Sequence, residues 1–86
     1  LVMSEPKMEF LSYEEALQIV AAIQEEEDIH QANRRILTVY NYEDKELCWF
    51  DFDEVMEAVG EVEAGQRKET VQNYILSRIP TWARDI

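Results

Sequence analysis

Apolar positions recur along this chain with two different periods, and the switches between them outline its elements. Tyr13, Ala16, Leu17, Val20 and Ile23, with Ile19 at the edge, follow the i, i+3, i+4, i+7 spacing of one buried helix face. Ser12-Tyr13-Glu14-Glu15 at their head fits a capping box. In that arrangement the Ser12 hydroxyl accepts from the Glu15 amide, and the Glu15 carboxylate reaches back to the Ser12 amide. The stripe fails at Glu25-Glu26-Glu27-Asp28. Continuing it would throw Ile29, Ala32 and Ile36 to the far side, and four carboxylates at a helix C-terminus oppose its negative end. The pattern predicts a break there, then a short helical turn capped by Asp28.

From Arg35 the period shortens. Ile36-Leu37-Thr38-Val39-Tyr40-Asn41-Tyr42 and Leu47-Cys48-Trp49-Phe50-Asp51-Phe52 are rich in β-branched and aromatic residues, and the polar stretch Glu43-Asp44-Lys45-Glu46 joins them at hairpin length. Alternation puts Leu37 and Val39 on one face, paired with Cys48, Phe50 and Phe52 under the helices. Tyr40, Tyr42 and Trp49 then line the other face.

Helical spacing returns with Phe52, Val55, Met56, Val59 and Val62, capped by Asp51 or Asp53; Asp51 followed by Glu54 repeats the capping-box interval. Gly65 is the expected stop, with Gly60 inside the stretch at a cost of about 1 kcal/mol relative to Ala. A last helix is predicted from Arg67 to Arg78, with Val71, Tyr74, Ile75 and Ile79 inward and Pro80 ending it. The expected architecture is α+β: a small single domain, helix–β-hairpin–helix–helix, with the helices packed on one face of a small antiparallel sheet. It comprises an irregular lead-in over 1–11, where Pro6 disfavours helix, a single domain over 12–79, and a tail over 80–86 in which Trp82 folds back.

Composition agrees with one packed core. The chain has 86 residues, 47% hydrophobic and 31% charged, with only two Gly and two Pro, which excludes disordered and collagen-like classes. Cys48 stands alone, so the chain offers no intramolecular disulfide and no zinc site of the Cys-pair type; a reducing cytoplasm is the expected compartment. No apolar run approaches the roughly 20 residues of a membrane-spanning helix. No basic stretch followed by an apolar one opens the chain, so no secretory leader is expected; Met3 and Met8 are candidate natural starts.

Charge changes the picture more. Nineteen acids against eight bases give a net charge of −11. Residues 1–33 hold eight acids and one base, and residues 43–63 hold nine acids and only Lys45, whereas residues 64–86 are slightly basic. Such a field repels phosphate backbones and anionic membranes and favours a basic protein partner.

Reactive constellations are missing. Asp51, Asp53, Glu54 and Glu57 form the densest carboxylate group, but helix capping and a solvated face account for them, and no calcium-loop pattern surrounds them. His30 follows four acids and reads as a surface residue; as a general base it would need a nucleophile or an orienting acid brought in by folding. Cys48 lies between Leu47 and Trp49 with no basic neighbour. Gly60 and Gly65 are too few for a phosphate loop. The expectation is a non-enzymatic protein with no cofactor and no metal.

Two binding surfaces are in view. In the leading one, Tyr40, Tyr42 and Trp49 dock another protein, with Glu43, Asp44 and Glu46 as an electrostatic rim, making the chain a regulator, inhibitor or accessory subunit; a homodimer contact would use the same rings. In the other, Glu25, Glu26, Glu27, Asp28, Asp53, Glu57 and Glu61 imitate a phosphate track and inhibit a nucleic-acid-binding protein or enzyme.

Overall fold

Ser12 starts the first helix, α1 (Tyr13–Ile19), in the computed structural model, which describes residues 9–86. Its hydroxyl accepts from the Glu15 amide at 3.2 Å. The other half of the expected capping box is replaced. Glu15 takes Arg84 instead, at 2.8 Å from Nε and 3.0 Å from Nη2, and so ties α1 to the end of the chain.

The helix ends four residues before its apolar stripe does. Val20 is already extended, and the acid run expected as a helix break is a strand, β1 (Ala22–Glu27). It pairs antiparallel with β2 (Arg35–Tyr40), which pairs antiparallel with β3 (Glu46–Asp51), in the spatial order β1-β2-β3. The sheet therefore has three strands rather than the two of a hairpin, within the α+β class the pattern predicted. The physical reason lies across the sheet. In a strand, successive carboxylates point to opposite faces, and Glu25 and Glu26 find Arg35 and Tyr40 on β2. Charged side chains also suit an edge strand, since they discourage pairing with other chains.

Asp28 does not cap a helical turn. Its carboxylate accepts from the His30 amide at 2.9 Å and shapes the loop between β1 and β2, which Asn33 turns with a φ of 66°. The connection between β2 and β3 is a five-residue turn over 41–45. There the Asn41 side chain accepts from the amides of Glu43 and Lys45, both at 2.9 Å. Tyr42 belongs to this turn and not to the strand.

Register fixes two faces. Leu37 faces Phe50 and Val39 faces Cys48, so the four share a face, as the alternation predicted. The register then slips, so that Tyr40 meets Glu46 and Leu47 becomes the extra residue of a bulge. That slip turns Leu47 into the core, where it is 3% exposed. Leu37, Val39 and Leu47 pack with Leu11, Ala16, Val55, Val71, Ile75, Leu76, Ile79 and Ala83 into one cluster.

The second helix, α2 (Phe52–Val59), is capped by Asp51, whose carboxylate accepts from the Glu54 amide at 3.0 Å. It stops at Gly60, not at Gly65. Gly60 has a φ of 73°, a conformation that strains any side chain-bearing residue. A short 3-10 turn (Ala64–Gln66) leads into α3 (Arg67–Leu76).

Only Glu9, Phe10 and Leu11 of the expected lead-in lie among the described residues; Pro6 and the rest fall outside them. Leu11 donates to the Ile79 carbonyl at 2.8 Å and Thr81 donates to the Glu9 carbonyl at 3.0 Å, which straps the two end segments together. The final 3-10 turn (Thr81–Asp85) folds back through Ala83, which is buried, whereas Trp82 stays half exposed. Among the described residues no helix is long and apolar enough to cross a membrane.

Candidate functional site

Residues of β2 that alternate with Leu37 and Val39 point the other way. Ile36, Thr38 and Tyr40 share this second face with Glu26 of β1, opposite Ile36, and Trp49 of β3, opposite Thr38. None of these five belongs to the hydrophobic core cluster. Ile36, Thr38, Glu26 and Trp49, together with the β1–β2 loop, bound a cleft of about 400 Å³ that Arg34 and Glu46 also line.

Thr38 sits at the bottom of this cleft. It is 1% exposed, and among the described residues its hydroxyl has no hydrogen-bond partner. An unsatisfied buried hydroxyl is unfavourable, and a native fold normally satisfies such a group. Beside it Tyr40 donates to Glu26 Oε2 at 2.6 Å. This acceptor, with burial and the Glu26 and Glu46 charges, pushes the Tyr40 phenol up to about 12. The same bond holds Glu26 below the usual carboxylate range, and the nearby Thr38 hydroxyl lowers it further without reaching hydrogen-bond geometry.

Arg34 closes the loop end of the cleft. Its guanidinium lies 5.1 Å from the Trp49 ring centre, Nε is 3.0 Å from Asp51, and Nη1 is 3.5 Å from Asp28. Asp51 thus serves both layers, capping α2 and anchoring Arg34. Its carboxyl is held below its ordinary value first by the Glu54 amide and then by Arg34. Among the described residues no group of three or more His, Cys, Asp and Glu side chains is placed to hold a metal ion.

The leading docking residues divide between two places. Trp49 and Glu46 line the cleft, and Tyr40 reaches it only through its bond to Glu26. Tyr42, 72% exposed, stands with Glu43 beside Ile19, Leu47 and Arg84 on another part of the surface, and Asp44 occupies the turn between β2 and β3 with a φ of 62°. The acids of the alternative surface are also divided. Glu25, Glu26 and Glu27 lie on β1 and Asp28 in the loop after it, whereas Asp53 and Glu57 are on α2 and Glu61 follows it. Glu25 is bound to Arg35 at 3.1 Å and Asp28 to Arg34, so part of that charge is matched internally.

A second cleft, of about 370 Å³, lies on the other side of Trp49. Cys48, Phe50, Tyr74, Arg78 and Trp82 line it, with the Arg78 guanidinium 3.7 Å from the Tyr74 ring centre. Cys48 is a free thiol pushed up to about 11, mainly by burial, and so carries little nucleophilic thiolate. Reading the sequence alone passed over Thr38, Ile36 and Arg34 as site residues. The parity that groups Ile36 and Thr38 with Tyr40 was available, but the partners brought by β1 were not.

No known protein family, curated protein or solved structure matches the chain at a significant level.

Proposed function

We propose that this chain is a small acidic, non-enzymatic protein-binding module, a regulator, inhibitor or accessory subunit that docks through the open face of its sheet. One observation carries the reading. Trp49 is 48% exposed on the strand face that contributes nothing to the core, and it stands between an acidic cleft and an aromatic one. Trp supplies large contact area at little conformational cost, and it is enriched among residues that dominate binding energy. Glu26 and Glu46 beside it favour a basic partner surface, chiefly in association rate. Tyr42, with Glu43 and Asp44, extends the contact if the partner reaches round the β2–β3 turn. A reducing cytoplasm suits the free Cys48 thiol.

The test is capture of a partner from source-cell lysate, with elution along a salt gradient. Wild type and a Asp53→Lys/Glu57→Lys/Glu61→Lys variant retain the same partner under this reading, and Trp49→Ala loses it. Retention by Trp49→Ala with loss by the charge-reversed variant, and displacement by added duplex DNA, would instead favour mimicry of a phosphate track. Light scattering that finds a dimer abolished by Trp49→Ala would assign the face to a second copy of the chain.

A further inference from the structure

We propose that the cleft on the open sheet face is a pocket for a lysine side chain of the partner protein, its ammonium held by Glu26, Glu46 and Thr38 and its stem laid against Trp49. The proposal rests on the docking reading above and specifies what the docked surface must carry. The first ground is charge. Glu26 and Glu46 both line the cleft, joined through Tyr40, which bonds Glu26 and lies opposite Glu46 in the sheet. Among the described residues, cations on β2 and its flanking loops are committed elsewhere: Arg34 to Asp28 and Asp51, Arg35 to Glu25, and Lys45 to Glu43. Among the described residues neither Glu26 nor Glu46 has an ion-pair partner within the chain.

The second ground is independent of charge. Among the described residues the Thr38 hydroxyl, buried at the cleft, has no hydrogen-bond partner, so its acceptor is unfilled. A lysine ammonium carries three donors around one compact centre, whereas arginine presents a broad planar fork. Two carboxylates and one hydroxyl offer three acceptors to three donors. Trp49 provides an apolar wall for the four-carbon stem and a ring face that attracts a cation. Arg34, already over that ring, shows that a cation is tolerated there.

Amide chemical shifts of the whole chain, followed during titration with a short lysine-rich peptide, test this directly. The expected result is movement confined to Glu26, Thr38, Glu46 and the Trp49 indole N–H, with no movement for the same peptide acetylated on its lysines. Thr38→Val and Glu26→Gln should each weaken binding about tenfold with the spectrum otherwise unchanged. Shifts spread over Asp53, Glu57 and Glu61, equal response to the acetylated peptide, or unchanged affinity in both variants would overturn the pocket. If Trp49→Ala still abolishes partner capture under any of those outcomes, the docking face stands and only its lysine specificity falls.

Discussion

The two faces of β2 differ in what they do with the same strand. Leu37 and Val39 point into the core and are closed over by helices, while Ile36, Thr38 and Tyr40, one residue out of phase, point to a face with no core residue on it. Alternation along a pleated strand thus separates stability from recognition at single-residue spacing. On the inward face the polar groups, Arg35 with Glu25 and Glu27, are kept to the exposed end of the strands, away from Val39. Among the described residues the outward face holds a buried hydroxyl without a partner and two carboxylates in no ion pair, features that suit a ligand.

Substitutions on the two faces should break apart in size and in sign. Leu37→Ala removes a buried side chain from the core and should cost about 3 kcal/mol, measured by urea unfolding; a loss near zero would mean the inward face is not the stabilising one. Trp49→Ala on the outward face should cost only about 1 kcal/mol, since half the ring is already in water, and should abolish partner capture. Thr38→Val should move the other way, raising stability by about 1 kcal/mol, because it removes an unsatisfied hydroxyl while keeping the shape. Stability unchanged or lowered would show that the hydroxyl has a partner in solution.

Asp51, which serves both layers, sharpens the comparison through pH. Its carboxyl is depressed in the folded chain, so its contribution to stability is present above the unfolded carboxylate value of about 4 and is lost as pH falls through the lower folded value. Asp51→Asn keeps a competent helix cap but carries no charge. It should therefore flatten the acid limb of a stability-against-pH curve with the smallest change of the series at neutral pH. A limb as steep as wild type would assign the acid sensitivity to other carboxylates.

Legibility in the sequence followed the range of the interaction concerned. Ser12 as a cap, the shared face of Leu37 and Val39 with Cys48 and Phe50, and the α+β class all rest on neighbours or on strict alternation and could be read directly, and the capping-box interval already favoured Asp51 over Asp53. β1 could not. Val20 to Ile23 suits helix or strand equally, and Glu25 to Glu27 become good strand residues only when Arg35 and Tyr40 stand opposite them. The stop of α2 was misplaced for a smaller reason, since two glycines lay five residues apart and only Gly60 takes the positive φ. In the candidate site, Tyr40 and Trp49 could be found from strand parity, whereas Glu46, expected at the hairpin tip, is brought opposite Tyr40 by the register shift. Thr38 could not, because a threonine inside a β-rich run looks ordinary until the burial and isolation of its hydroxyl are seen. Tyr42 was separated from the others by a turn one residue longer than the four expected.

The strap between the two end segments bears on how the chain is made. Glu15 and Arg84 lie 69 positions apart, and Leu11 and Thr81 make backbone bonds across a similar span. Closing a loop of nearly the whole chain is the costliest contact of the fold in entropy, and it rewards folding last. Synthesis delivers the N-terminal part first. Helix α1 and the sheet therefore wait for Ile79 and Ala83 to complete their core, and the nascent chain presents Ala16 and Leu11 uncovered until those residues have been made.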